Sequence, residues 1–249
     1  MIGIIPAGGL GSRLAPLRYA KELLPIVYRA RGPGESTALD AGEVHPRPVI
    51  ALSLDQMERA GVTECAIVIS EAKLELVRVL GEHVGAVRLA YVVRAVARGL
   101  ADAIDAPAVW IAERAACLAL PDTVIEPPDA LAQVRDELEQ SGADLVLGVF
   151  PTAHPEELGP VLVDADGSVV RVLDKPAATD LRTTWGLAAW SPRFGALLHA
   201  AVVGDPGVVL GAVFQRAVDA GLRVRAVTFA TGRFLDVGTP AGLAAALRR

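Results

Sequence analysis

Met1-Ile2-Gly3-Ile4-Ile5-Pro6-Ala7-Gly8-Gly9-Leu10-Gly11-Ser12-Arg13-Leu14 opens the chain. The apolar run 2–6 reads as a buried strand that passes straight into a glycine-rich turn. Gly8, Gly9 and Gly11 leave backbone N–H groups free to face a ligand, and Arg13 brings a fixed positive charge. By composition this is a phosphate cradle. It is not the dinucleotide-binding fingerprint, which would need a third glycine where Leu14 stands. Nor is it a Walker A loop, since one opening at Gly8 needs glycine and then lysine in place of Arg13 and Leu14. Glycines alone also serve a tight turn for steric reasons. Two cations beside it, Arg13 and Lys21, have little to do in a merely structural turn and favour the phosphate reading.

Outward from this turn, short apolar runs alternate with longer segments of helical period, as in βαβ units. Strands are expected at 2–6, 64–69, 87–93, 115–120 and 145–150, and helices at 49–60, 71–81, 99–114 and 128–141. Gly61 and Gly142 supply C-terminal stops for two of these helices. The pattern predicts an α/β fold: one doubly wound, mostly parallel sheet with helices on both faces. After residue 150 the pattern changes, because 159–163 and 168–173 flank Asp166-Gly167, a hairpin signal. A strand at 184–190, helices at 192–202 and 208–220, a strand at 223–229 and a closing helix at 239–248 follow. With no linker or repeat, 1–249 is expected to be a single domain, with a nucleotide-binding core over 1–150 and a small antiparallel subregion over 151–249. Residues 28–48, rich in Gly, Pro and charge, exceed ordinary loop length and read as a functional lid or a disordered insert.

The 249 residues carry 24 Lys and Arg against 29 Asp and Glu, and 52% of positions are hydrophobic. This composition suits a soluble chain with a large core. A net charge of −5 without a basic block argues against a duplex nucleic-acid partner, and 4% aromatic content argues against a single-strand stacking platform. Cys65 and Cys117 belong to no CxxC and read as buried reduced thiols. His45, His83, His154 and His199 have no metal-ligand spacing, so neither a zinc site nor a Ser-His-Asp triad has its parts. No apolar run approaches a membrane span, and the first residues read as a strand and not a signal peptide, so a cytoplasmic protein is expected.

Ile5-Pro6-Ala7-Gly8-Gly9-Leu10-Gly11-Ser12-Arg13-Leu14-Ala15-Pro16, followed by Lys21-Glu22-Leu23-Leu24-Pro25, closely resembles the signature GGxGTRLxP…PKxLLP of the sugar-phosphate nucleotidylyltransferases. Further segments occur in that family's order. Gly99-Leu100-Ala101-Asp102-Ala103 is similar to the GLAxA beside the nucleotide base, and Leu120-Pro121-Asp122 to the LGD that supplies a metal-binding aspartate. Gly159, then Asp174-Lys175-Pro176, is similar to the sugar-binding glycine and the EKP motif, and Leu235-Asp236-Val237-Gly238-Thr239 to the WLDxGT that supplies the second metal carboxylate. The resemblance covers nearly the whole chain. It implies an enzyme that joins a nucleoside triphosphate and a sugar 1-phosphate, dTTP or UTP and a hexose 1-phosphate first, with Mg2+. Arg13, Lys21 and Lys175 would be the catalytic cations, and Asp122 and Asp236 the metal ligands. Gly8, Gly9, Gly11, Arg94, Gly99, Gly159, Asp174 and Gly186 would contact substrate. A homo-oligomer is compatible with the resemblance.

These residue types suit the chemistry. A sugar 1-phosphate is itself a nucleophile, so its transfer needs charge neutralisation and in-line positioning in place of a Ser, Cys or His. Two carboxylates suit Mg2+, a hard cation that takes oxygen ligands. The chain departs from the family's pattern at Ser12 for Thr, Asp174 for Glu and Leu235 for Trp, in the short spacing from Arg13 to Lys21, and in Asp205-Pro206-Gly207-Val208 where an acidic, Arg-bearing segment is usual. Arg94 stands where many relatives place a base-reading Gln. A guanidinium only donates hydrogen bonds, so Arg94 alone predicts comparable use of UTP and dTTP and weak discrimination among bases. A rival from another class is a catalytically silent homologue that binds a sugar nucleotide and regulates a partner. A nicotinamide-dependent dehydrogenase is weakened by the missing third glycine and the lack of an acidic residue about twenty positions on.

Overall fold

The computed structural model describes residues 1–30, 44–96, 98–111 and 113–248. The first 151 residues supply β1 (Ile2–Pro6), β2 (Val27–Ala30), β3 (Val44–Arg47), β4 (Glu64–Ser70), β5 (His83–Val84), β6 (Val87–Arg94), β7 (Ala116–Ala119), β8 (Thr123–Glu126) and β9 (Leu145–Pro151). The remainder supplies β10 (Val161–Val163), β11 (Val169–Val172), β12 (Thr183–Trp190), β13 (Val224–Thr228) and β14 (Arg233–Asp236). The helices are α1 (Ile50–Arg59), α2 (Glu75–Leu80), α3 (Leu100–Asp105), α4 (Ala108–Ile111), α5 (Ala130–Ser141), α6 (Pro192–Gly204), α7 (Leu210–Asp219) and α8 (Pro240–Ala246).

Eight strands form the central sheet in the order β13-β9-β12-β7-β1-β4-β6-β5. β1 pairs in parallel with β4 and β7, and β4 with β6, as the βαβ pattern predicts. The strand expected at 184–190 becomes β12, which enters the sheet antiparallel between β7 and β9. Its segment Thr184–Trp190 is buried along its whole length. An apolar run of that kind requires cover on both faces, which a central position supplies. The strand order therefore interleaves the two halves of the chain.

Alternate β1 residues feed two cores. Ile2 and Ile4 join a cluster with Ile104 of α3, Phe194 and Leu198 of α6, and Phe214 of α7. Ile5 faces the other way, into a cluster with Leu54 and Met57 of α1, Leu76 of α2, and Leu131 and Val134 of α5. Gly3 shares that second face, where a Cβ would meet Met57 Sδ at 2.8 Å. Fully burying one such aliphatic side chain stabilises the fold by about 1.5–3 kcal/mol. Cys65 and Cys117 lie in the same cluster as free thiols, and burial pushes the Cys117 thiol up to about 12.

Two expected helices are shorter than their periodic segments. The 99–114 segment divides into α3 and α4 around Pro107, which has no N–H to give and crowds the preceding turn. The 71–81 segment becomes a 3-10 turn, Glu71–Lys73, followed by α2. α5 matches its pattern: Ala130, Leu131, Val134 and Leu138 share the buried face, and Gly142 ends it at φ 63°. β10 and β11 form the expected hairpin, with Gly167 at φ 87°. A separate antiparallel ribbon, β8 with β14, has no counterpart among the expected strands. β2 and β3 pair antiparallel at the root of the 28–48 insert, and residues 31–43 of the proposed lid lie outside the described residues. Among the described residues no helix is long and apolar enough to cross a membrane.

Candidate functional site

β1 stays in the sheet as far as Ala7, whose N–H donates to the Val68 carbonyl at 2.7 Å, and then leaves it at Gly8. A Cβ at Gly9 would meet nothing within 4 Å, so the turn borders open space. Gly11 takes the left-handed conformation, φ 66°, and starts a 3-10 turn, Ser12–Leu14, that carries Arg13. A second 3-10 turn, Lys21–Leu23, carries Lys21. The Lys21 side chain passes beside Gly11, where a Cβ would lie 3.7 Å from Lys21 Cδ.

Both cations meet carboxylates that are distant in sequence. Arg13 Nη1 donates to Asp236 Oδ2 at 3.0 Å, and Lys21 Nζ to Asp122 Oδ2. Asp122 follows the end of β7, and Asp236 ends β14. The β8–β14 ribbon pairs Asp236 with Thr123, and the Val237 N–H donates to the Asp122 carbonyl at 2.9 Å. Thr239 caps α8 by accepting from the Gly242 N–H at 3.1 Å, which holds the residues after Asp236 against the ribbon.

Gly238 marks where these charges converge. A Cβ there would stand 2.5 Å from Asp122 Oδ2, 2.9 Å from Asp236 Oδ1 and 2.9 Å from Lys21 Nζ. The two carboxylates thus aim at one small volume that no side chain could share. Hard oxygen donors around such a cradle fit a divalent cation of the Mg2+ type, and Asp122 and Asp236 are the residues that would hold it. Gly238 lies within the Leu235–Thr239 segment, yet its steric part is visible only once Asp122 and Lys21 are beside it.

Further lining comes from the segment after β11. Lys175 is the non-glycine residue at positive φ, 41°, among the described residues, and its N–H donates to the Leu158 carbonyl at 2.8 Å. That conformation costs of order 1–3 kcal/mol and persists where surrounding structure imposes it, often at functional sites. Asp174 packs on Gly211 at the start of α7, where a Cβ would come within 3.0 Å of its carboxylate. α7 itself is held by Leu210, Val213, Phe214 and Ala217, one apolar stripe. Trp185 of β12 sets its indole edge on Gly159, whose Cβ would lie 2.2 Å from Nε1, and crosses Phe214 edge to face.

One cavity of about 550 Å3 gathers Gly9, Arg13, Lys21, Gly99, Asp122, Gly159, Asp174, Lys175 and Asp236. Its size is in the range of small-molecule sites. Gly8 and Arg94 line a smaller neighbouring pocket. Gly186 lines neither; a Cβ there would strike Phe234 Cδ2 at 2.6 Å, so packing of β12 on β14 accounts for this glycine. Sequence reasoning passed over Glu22, which is 1% exposed and borders the cavity. Lys73 Nζ donates to its Oε1 at 2.7 Å, while its Oε2 has no partner among the described residues. Burial raises the Glu22 carboxyl above its ordinary value, against the pull of Lys73. This pair fixes the 3-10 turn that presents Lys21.

His83, His154 and His199 are exposed, as their sequence context suggests. Among the described residues, one trio of metal-ligand types, His154, Glu156 and Glu157, gathers on the surface, distinct from the Asp122–Asp236 cradle.

A mostly parallel sheet, a glycine turn with cations at the end of its first strand, and a carboxylate cradle facing it define a protein of the nucleotide-diphospho-sugar transferase fold. The chain belongs to the Nucleotidyl transferase family, whose pattern matches residues 37–249. It is 30% identical over 181 residues to a glucose-1-phosphate thymidylyltransferase of Mycolicibacterium smegmatis, covering 71% of this chain and 56% of that protein. It is 22% identical over 180 residues to the low-salt glycan biosynthesis nucleotidyltransferase Agl11 of Haloferax volcanii, covering 71% of this chain and 45% of that protein. The matched stretch thus spans about half the length of these relatives. Among solved structures, a Bacillus anthracis protein assigned as a glucose-1-phosphate thymidylyltransferase, in complex with sucrose, superposes with a TM-score of 0.83 at 18% identity, covering 100% of this chain and 94% of that one. UTP-bound UGPase from Acinetobacter baumannii gives 0.77 at 17% identity, covering 99% and 92%. Likenesses at these identities establish the fold.

Proposed function

We propose that the chain joins a nucleoside triphosphate, dTTP or UTP, to a hexose 1-phosphate, releasing pyrophosphate and a nucleoside-diphosphate sugar, with Mg2+ as the metal. The observation that supports this most is the gathering of Arg13, Lys21 and Lys175 with Asp122 and Asp236 around one cavity. The names of the thymidylyltransferase relatives support the choice of nucleotide and sugar phosphate.

In this reading an oxygen of the sugar 1-phosphate forms a bond to the α-phosphorus while the bond from that phosphorus to the bridging oxygen breaks. Pyrophosphate leaves with the electron pair, and no general base is needed because the attacking oxygen is already ionised. Arg13 and Lys21 neutralise the triphosphate, Arg13 at the leaving pyrophosphate and Lys21 at the transferring centre. Lys175 holds the sugar phosphate, and Asp174 accepts hydrogen bonds from sugar hydroxyls. Asp122 and Asp236 would hold Mg2+, which when bound would supply further neutralisation of phosphate charge. The resting Arg13–Asp236 and Lys21–Asp122 pairs keep the site charge-balanced, so its cations are already in place when a polyanion enters. Pyrophosphate release from four nucleoside triphosphates, each with several sugar 1-phosphates, tests the proposal. Release with none of them would refute it.

A further inference from the structure

A second pocket, of about 240 Å3, adjoins the main cavity and shares Pro6, Gly9, Gly99 and Leu100 with it. Val68, Val96, Leu100 and Ala103 give it apolar walls, and Arg94 and Asp102 are its charged groups. Arg94 ends β6, and Asp102 lies in the first turn of α3. Nη2 of Arg94 donates to both carboxylate oxygens of Asp102, at 2.7 and 2.9 Å. The Asp102 side chain is 5% exposed and that of Arg94 32%. Nη1 and Nε of Arg94 have no partner among the described residues. An ion pair in an apolar pocket recovers its desolvation cost only if its remaining donors and acceptors are also used. A flat ring with an acceptor and an N–H on one edge uses both.

We infer that Arg94 and Asp102 act as one unit that reads the edge of the substrate's base, Arg94 donating to a carbonyl oxygen and Asp102 accepting the neighbouring ring N–H. The inference rests on the nucleotidyl-transfer reading, because Gly8 and Gly9 of the turn assigned to the triphosphate also line this pocket. Asp102 supplies the acceptor that a guanidinium by itself lacks. The pair therefore replaces the expectation of weak discrimination with a definite one. In this arrangement the carbonyl read by Arg94 is O4 of uracil or thymine, on the side of the ring away from O2, and N3–H faces Asp102. Cytosine reverses both groups: its amino hydrogens face the guanidinium and its N3 lone pair faces the carboxylate. Two unpaired contacts in a buried site weigh heavily against it.

The test compares UTP and CTP on the full chain, by calorimetric binding and by pyrophosphate release with glucose 1-phosphate. Wild type should favour UTP by on the order of 10²-fold in both measurements. Asp102→Asn can turn either an oxygen or an amide N–H to the base, so the preference should fall to within about tenfold. On the wild-type protein, 3-methyl-UTP, which has no N3–H, should bind at least about tenfold more weakly than UTP. This arm holds even if the variant does not fold. A purely structural ion pair would instead weaken both nucleotides equally in Asp102→Asn; an unchanged UTP-to-CTP ratio there overturns the inference. So does wild type binding CTP as tightly as UTP, or 3-methyl-UTP binding as tightly as UTP. If the binding preference exists and collapses in Asp102→Asn while no sugar 1-phosphate releases pyrophosphate, the base reading stands and the transfer reading fails.

Discussion

Gly238→Ala places one methyl group among Asp122, Asp236 and Lys21. Its Cβ would lie 2.5 Å from Asp122 Oδ2 and 2.9 Å from both Asp236 Oδ1 and Lys21 Nζ, where ordinary contact begins at 3.4 Å. The Asp122 oxygen must withdraw by about 0.9 Å and the other two groups by about 0.5 Å to relieve the overlap. Gly238 is not among the positive-φ glycines, so alanine adds no backbone strain and the effect is steric. A displacement near 1 Å at a reacting site costs roughly 10²-fold in rate. That loss corresponds to about 2.7 kcal/mol on the barrier. The displaced groups are ends of side chains, and Gly→Ala lowers unfolded-state entropy, so the melting temperature should fall by no more than about 5 °C. Pyrophosphate release under a Mg2+ titration, beside a thermal melt, reads both effects. We expect kcat to fall about 10²-fold and half-saturation to need more Mg2+. Turnover within threefold of wild type at an unchanged Mg2+ requirement would show that this cradle does not set the chemistry.

Lys175→Ala and Arg13→Ala should each fold and lose roughly 10²-fold in kcat at saturating substrate, the scale of one preorganised charge; near-normal kcat in either would remove its assigned role. EDTA should abolish turnover and Mg2+ restore it, and full activity after rigorous chelation would refute the metal assignment. Lys73→Met strands the Glu22 carboxylate, 1% exposed at its side chain, and should cost about 3–5 kcal/mol of stability at neutral pH. Without Lys73 the Glu22 carboxyl, already raised by burial, rises further. The variant is then most stable below the ordinary carboxylate value and loses stability as pH rises through the raised one. Urea unfolding at pH 5 and pH 8 should show the larger deficit at pH 8; equal deficits would contradict this account of the buried pair.

Features that depend on short windows are legible in the chain. β1 and its glycine turn, α5 with its four-residue apolar stripe and Gly142 stop, and the hairpin around Gly167 all follow from local periodicity and turn chemistry. Arg13, Lys21, Asp122, Lys175 and Asp236 are legible as candidates because residue type and flanking motif are local properties too. Sheet order is not local. The buried run of β12 satisfies a parallel or an antiparallel position equally well, and its place between β7 and β9 depends on which edges remain when both faces are covered. β14 is four residues long and has no fully buried member, so its pattern carries little signal; only pairing with β8 reveals it and sets Asp236 beside Asp122. The same holds for Asp102 as the partner of Arg94, for Lys73 beneath Glu22, and for the packing of Gly186 on Phe234. Residue spacing constrains a helix turn or a strand alternation, whereas Lys21 and Asp122, 101 positions apart, and Arg13 and Asp236, 223 apart, meet only because the collapse of two hydrophobic faces selects one strand order.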